Sequence, residues 1–207
     1  MSTPEPRVMG RREERTATSK ARILDAAVAC LVESGYAGAT TLRIQARAGV
    51  SRGRLLHHFP SRDLLLVAAS RHLAIGRMTG SNKRISELGG LPPAERLDRV
   101  VEMMWETFSE PYFWAAVELW TAARTNRELR VSLLPEEREV GAAIRLGLDR
   151  NYGPDLVAHP RYPQVRDLIF TSMRGVGLTY ALEHRDPRTD PHLVIWKDIA
   201  RTLLDVQ

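Results

Sequence analysis

An all-α fold of about nine helices is predicted, with a small three-helix head at the N-terminus and a larger helical body behind it. Three observations predict it. Apolar residues recur at three- and four-residue spacing through most segments, and strict alternation never persists over the length of a strand. After Pro4 and Pro6, proline is absent until Pro60, and ten prolines between Pro60 and Pro191 then divide the chain into helix-length intervals. Proline is tolerated in a first helical turn and disfavoured in helix interiors, so such spacing marks boundaries. Finally, serine, threonine and glycine stand where those boundaries need caps.

The first helix is predicted from about Ser19 to Ser34, with Ile23, Leu24, Ala27, Val28 and Leu31 on one face and Gly35 ending it. Thr40 or Thr41 caps a second helix, Ser51 a third and Ser61 a fourth, the last with Asp63 in its first turn and running to about Met78. A negative charge suits that end of a helix dipole. Residues 80–93 read as a connection. Further helices are predicted over Ala94–Phe108, Pro111–Arg124, Pro135–Arg150, Gln164–His184 and His192–Asp205, with a loop at Asn151–Pro163.

Composition narrows the function. Hydrophobic residues make up 43% and charged residues 27%, which is globular composition. No apolar run approaches the roughly 20 residues of a bilayer span, and the polar, arginine-rich start has no signal-peptide core, so a cytoplasmic location is expected. The single cysteine, Cys30, makes no intrachain disulfide and is expected to be a buried thiol. Residues 1–80 carry thirteen Lys and Arg against six Asp and Glu, while the remainder carries seventeen against nineteen. A basic head on a near-neutral body points to a polyanionic partner for the head. No nucleophile motif, carboxylate pair or phosphate loop stands in a credible context; Gly175-Val176-Gly177 falls mid-helix after no strand. Neither an enzyme, a cofactor nor a metal site is expected.

The informative stretch is 40–59, TTLRIQARAGVSRGRLLHHF. Leu42, Ile44 and Ala48 are expected to face a core, Gly49 ends one helix, Val50 fills the corner and Ser51 starts another. That is a helix-turn-helix. The second helix would enter a major groove, with Arg52 and Arg54 offering paired donors to guanine and Gly53 keeping the helix thin. His57, His58 and Arg62 are candidates for phosphate contacts, joined by Thr40, Thr41, Arg43 and Ser51 at the helix ends.

From Arg22 to Leu65 the chain resembles the TetR family of one-component regulators. The resemblance rests on Ile23-Leu24-Asp25-Ala26-Ala27, Glu33-Ser34-Gly35-Tyr36, Thr40-Thr41, Ile44, Ala48-Gly49-Val50-Ser51-Arg52-Gly53 and His58-Phe59-Pro60-Ser61-Arg62-Asp63-Leu64-Leu65. It departs from the family pattern at Gln45, usually alanine, at Leu56, usually a tyrosine that meets a phosphate, and at Arg62, usually lysine. The resemblance implies a basic tail (1–17), a DNA-binding domain (18–65) and a ligand-binding and dimerisation domain (66–207). It further implies a repressor that binds a near-palindromic operator on double-stranded DNA as a homodimer and leaves it when a small molecule binds the body. A ligand-independent regulator or activator, or a helical interaction protein that has lost DNA binding, are the alternatives.

The resemblance places a pocket in the body, for an apolar or aromatic effector. Its candidate lining is Met104, Trp105, Phe108, Phe113, Trp114, Glu118, Thr121, Met173 and Tyr180, a group that could equally be plain core. Either a cationic ligand or an internal arginine would satisfy Glu118. The last two helices are apolar on more than one face, as a four-helix dimer interface requires. Phe170, Gly177, Leu193, Trp196, Ala200 and Leu203 are its candidates.

Overall fold

The computed structural model describes residues 11–79, 88–183 and 185–207, with side chains described outside 11–16 and 76–79. Among the described residues there are ten α-helices and no strand: α1 (Arg11–Gly38), α2 (Thr41–Ala48), α3 (Arg52–His58), α4 (Arg62–Thr79), α5 (Pro93–Glu106), α6 (Pro111–Ala123), α7 (Arg127–Tyr152), α8 (Pro154–Val157), α9 (Tyr162–Thr179) and α10 (His192–Leu203). Single 3-10 turns lie at Thr107–Ser109 and Pro187–Thr189. The all-α expectation holds. No helix among the described residues is long and apolar enough to cross a membrane.

Several boundaries differ from the sequence reading: α9 ends at Thr179 rather than His184, α1 runs past Gly35 to Gly38, and three further differences bear on the fold. Helix α1 starts at Arg11, so the part of the expected tail from 11 to 17 has helical backbone; Arg7 lies outside the described residues. Helix α7 starts at Arg127 and carries Pro135 in its interior. Asn126 explains the early start, because its Oδ1 accepts the Leu129 N–H at 3.0 Å, and Leu129 and Leu133 are buried ahead of the proline. The expected loop at 151–163 contains α8, opened by Gly153 at φ 84° and Pro154 in the first turn.

The chain divides into two compact units. The first holds residues 1–73 and 115–134, the second 74–114 and 135–207, so the division falls inside α4, α6 and α7. The first unit extends past the domain boundary expected at 65. Its core joins Ile23, Leu31, Ile44 and Leu55 to Leu65, Leu119 and Leu129. Cys30 is buried there as a free thiol.

The second unit is built on Leu97, Val100, Trp105, Ile169 and Met173, with α5 packed against α10. Arg96 is buried and satisfied: Nε donates to the Tyr152 carbonyl at 2.7 Å, Nη1 to that of Leu91 at 3.3 Å, and Nη2 pairs with Asp155. Such a charge is tolerable because each guanidinium nitrogen finds an acceptor, one of them a carboxylate.

Candidate nucleic-acid interface

Helix α2 is capped by Thr40, whose hydroxyl oxygen accepts the Arg43 N–H, and ends at Gly49 with φ 62° and ψ 41°. That left-handed conformation costs glycine little. A Cβ at Gly49 would also lie 2.9 Å from Nη2 of Arg22, which donates to the Ala48 carbonyl at 2.6 Å. Ser51 caps α3 by accepting the Arg54 N–H at 3.3 Å. Helix, glycine turn and helix therefore follow from residues whose local preferences agree.

Leu55, at 1% exposure, marks the inward side of α3. At about 100° per residue, Gly53 and His57 fall nearest the opposite, outward side. Arg52 and Leu56 form one flank, Arg54 and His58 the other. The exposures agree: Arg52, Gly53, Arg54, Leu56 and His57 are exposed, and His58 is half-buried. Nothing lies within 4 Å of where a Cβ on Gly53 would sit. The central place of His57 was missed in the sequence, although the helical period alone carried it.

Charge around this helix sorts into committed and uncommitted groups. Arg47 pairs with Glu33 at 2.6 Å, and Arg22 is held as described. Arg43 reaches the Gly38 carbonyl only at 3.5 Å. Among the described residues no acceptor holds the guanidinium of Arg52 or Arg54. The His58 imidazole has its pKa lowered by burial, then by the positive charges of His57, Lys20 and Arg54.

Two expectations for this region are corrected. Leu42 is 68% exposed, because it lies about 200° around α2 from the inward Ile44. Arg62, expected at a phosphate, is largely engaged inside the chain: Nε donates to the Ala39 carbonyl at 2.9 Å, Nη2 to that of Tyr36, and its guanidinium carbon stands 4.2 Å from the Tyr36 ring centroid. These are the orphan carbonyls at the end of α1, where a cation is favoured.

The expected pocket residues separate. Trp105, Phe108, Phe113, Met104, Met173 and Tyr180 are buried in the second unit, with Trp114 half-buried beside Phe113. Their rings pack on one another: Trp105 lies 5.5 Å from Tyr180, and Phe108 lies 5.2 Å from Phe113. The Tyr180 hydroxyl donates to Asp190 at 2.6 Å, and burial followed by that carboxylate pushes its pKa up. Glu118 and Thr121 do not belong with this group. Both lie in the first unit; Thr121 is exposed, and Oε2 of Glu118 accepts the backbone N–H of Tyr36 at 2.7 Å.

The expected interface residues are also redistributed. Trp196 and Ala200 are buried within the chain, the Trp196 ring tilted against that of Trp105 at 4.8 Å and its N–H donating to Ser172 at 3.0 Å. Gly177 serves a close approach inside the unit, since a Cβ there would come within 3.1 Å of the Phe108 Cβ. Phe170 is half-buried against Phe108 at 5.4 Å; Leu193 and Leu203 are half-buried. The exposed apolar side chains of α9 and α10 are instead Leu168, Leu178, Val194 and Ile195.

Comparison with known proteins bears on this geometry. The sequence model of the family described as "Bacterial regulatory proteins, tetR family" matches residues 23–69. The chain is similar to the HTH-type transcriptional repressor AcnR of Corynebacterium efficiens, at 31% identity over 142 residues, 67% of this chain and 68% of that protein. It is similar to the HTH-type transcriptional regulator CymR of Pseudomonas putida, at 28% identity over 174 residues and 80% of each chain. A transcriptional regulator from Rhodococcus sp. Rha1 shares the fold with TM-score 0.64 and 23% identity, covering 90% of this chain and 94% of its own. The multidrug binding protein EbrR, solved with imidazole, shares the fold with TM-score 0.56 and 21% identity, covering 91% of this chain and 96% of its own. With a helix-turn-helix exposed on a basic unit, a family match across it and a repressor related over two thirds of the length, the chain belongs to the TetR family of bacterial transcriptional regulators.

Proposed function

We propose that this protein is a repressor that binds a near-palindromic operator as a homodimer and is displaced from it by a small apolar or aromatic molecule. The observation that carries the DNA-binding part is the pair of uncommitted guanidiniums, Arg52 and Arg54, on the two flanks of α3. Arg22 and Arg47 nearby are held in internal bonds; these two are not. Each has the donor geometry for a guanine edge or a phosphate. His57, on the outward ridge, and Thr40, Thr41, Arg43 and Ser51, at the helix ends, complete the contact set.

The effector would lie among the buried aromatic and methionine side chains of the second unit, where the Tyr180–Asp190 pair supplies a polar anchor. It acts by binding one head spacing better than another and so shifting the dimer population. The close ring packing of that group favours a second reading, a regulator whose body is plain core and which responds to no ligand.

Binding to the protein's own upstream DNA across a salt series tests the first part. Selective binding whose logarithm falls steeply with salt is expected, lost in the Arg52→Ala, Arg54→Ala variant. Binding that is equally strong to unrelated DNA would sink the operator reading. A thermal-shift screen of aromatic compounds separates the two readings of the body: a compound that raises the melting temperature and releases DNA supports the effector, while one that does neither at saturating solubility supports the ligand-free regulator.

A further inference from the structure

We infer that Tyr36, Arg62, Asp63, Glu118 and Asn126 form one polar knot that fixes the recognition helix, making Glu118 and Asn126 positioning residues for operator binding from outside the reading motif. The inference rests on the DNA-binding reading above.

The reading helices occupy 41–58, between the kinked last turn of α1 (35–38, followed by Ala39 and Thr40) and the break at 59–61. The knot joins both ends. From the exit side, Arg62 donates to the carbonyls of Tyr36 and Ala39, next to Thr40, which caps α2. Beside it, the Tyr36 hydroxyl donates to Oδ1 of Asp63 at 2.8 Å. Asn126 closes the pair: its Nδ2 donates to Oδ2 of Asp63 at 3.2 Å and to the Tyr36 hydroxyl at 3.3 Å. The amide cannot turn over, because its Oδ1 accepts the Leu129 N–H. Glu118 holds the other side of Tyr36 through the backbone N–H at 2.7 Å.

All of these residues lie in the first compact unit, 1–73 with 115–134. Burial, then the Asp63 carboxylate, raises the Tyr36 pKa, so the phenol stays a neutral donor. Helix α3 itself is anchored by Leu55 and Phe59. Apolar burial is non-directional, so it keeps α3 attached without fixing its angle. Directional restraint must come from hydrogen bonds, and a part-buried network in which Tyr36, Asp63, Asn126 and two nitrogens of Arg62 all find partners admits few arrangements. The knot ties both ends of the 41–58 segment to residues 115–134. In this arrangement Arg62 turns Nε and Nη2 to carbonyls, and its charge at the end of α1 is structural.

The test uses the full-length dimer. Asn126→Asp sets a second carboxylate beside Asp63; adding Asp63→Asn returns one carboxylate and one amide in exchanged places. We expect Asn126→Asp to speed hydrogen exchange of amides 41–58 by about tenfold, leaving those of 93–106 unchanged, and to weaken operator binding by about tenfold at an unchanged salt slope. The double variant restores both. Arg62→Ala weakens binding at unchanged slope; a slope smaller by about one would make Arg62 a phosphate contact and overturn its place in the knot. Faster exchange with unaltered affinity would overturn the positioning role, as would a double variant no better than the single. Should the wild-type protein fail to select DNA, the DNA-binding reading fails, while the exchange comparison still decides whether the knot orders 41–58.

Discussion

Gly35 stands at φ 65° and ψ 179°, a region that is nearly glycine's alone, and interrupts α1 six residues before the reading helices begin at Thr41. A Cβ there would lie 2.8 Å from Oε2 of Glu118. Gly35→Ala therefore combines backbone strain with loss of the Glu118–Tyr36 bond, and about 1–3 kcal/mol of destabilisation is expected in urea unfolding. A neutral result would mean that α1 can straighten without cost. His58 gives a pH test. Its folded-state pKa is lowered from 6.5 by burial, then by His57, Lys20 and Arg54, so the unfolded chain takes up the proton first as pH falls. The stability this neutral imidazole contributes is whole above about pH 6.5 and declines as pH drops through the interval below it. Melting temperatures at pH 7.5 and 5.5 should differ less in His58→Asn than in the wild type. Equal differences would assign the effect to other groups.

At the scale of elements, α3 is a seven-residue helix that would be marginal alone, so its cap and its one buried leucine matter. Ser51→Ala removes an N-cap at a cost of about 1 kcal/mol, and Leu55→Ala opens the core at a cost of about 2–5 kcal/mol. Denaturation curves should rank them so, with Leu55→Ala also abolishing DNA selection; the reverse order would mean that the cap, not burial, holds α3. Much of this was legible in the sequence because it is local: Thr40 or Thr41 and Ser51 as caps, Gly49 as the end of α2; the inward place of Leu55 was not read, although the helical period opposite Gly53 and His57 carries it. Leu42 was misassigned although the helical period puts it on the far side of α2 from Ile44. Arg62, Glu118 and Gly177 were misplaced for a different reason. Each finds its partner 26, 82 or about 70 residues away, and no periodicity encodes which acceptor or which phenylalanine will be there. The interior Pro135 misled in the same manner, since Asn126 begins α7 eight residues before the boundary that proline suggested.

For the whole molecule the decisive question is what covers the outward apolar side chains of the last two helices. Leu168 is 54% exposed, Leu178 44%, Val194 63% and Ile195 49%, while Trp196 and Ala200 of the same α10 turn inward. Once the inward stripe is spent on the subunit's own core, the remaining stripe has no use in a monomer, and exposed apolar clustering marks an interface. A second copy is the partner that the operator reading requires. Two heads must reach half-sites about 34–36 Å apart, and neither alone gains from the other's contacts. Ile195→Asp together with Leu168→Asp should leave the subunit folded, since both positions are exposed, yet yield a monomer by sedimentation. The monomer should bind a full operator about 10²-fold more weakly, because the second head no longer binds at raised effective concentration. Its salt slope should fall to about half, since half the phosphate contacts are gone. A variant that remains dimeric would move the interface away from α9 and α10. A monomer that keeps full affinity and slope would show that a single head saturates the site, and the palindromic operator would then have no physical basis.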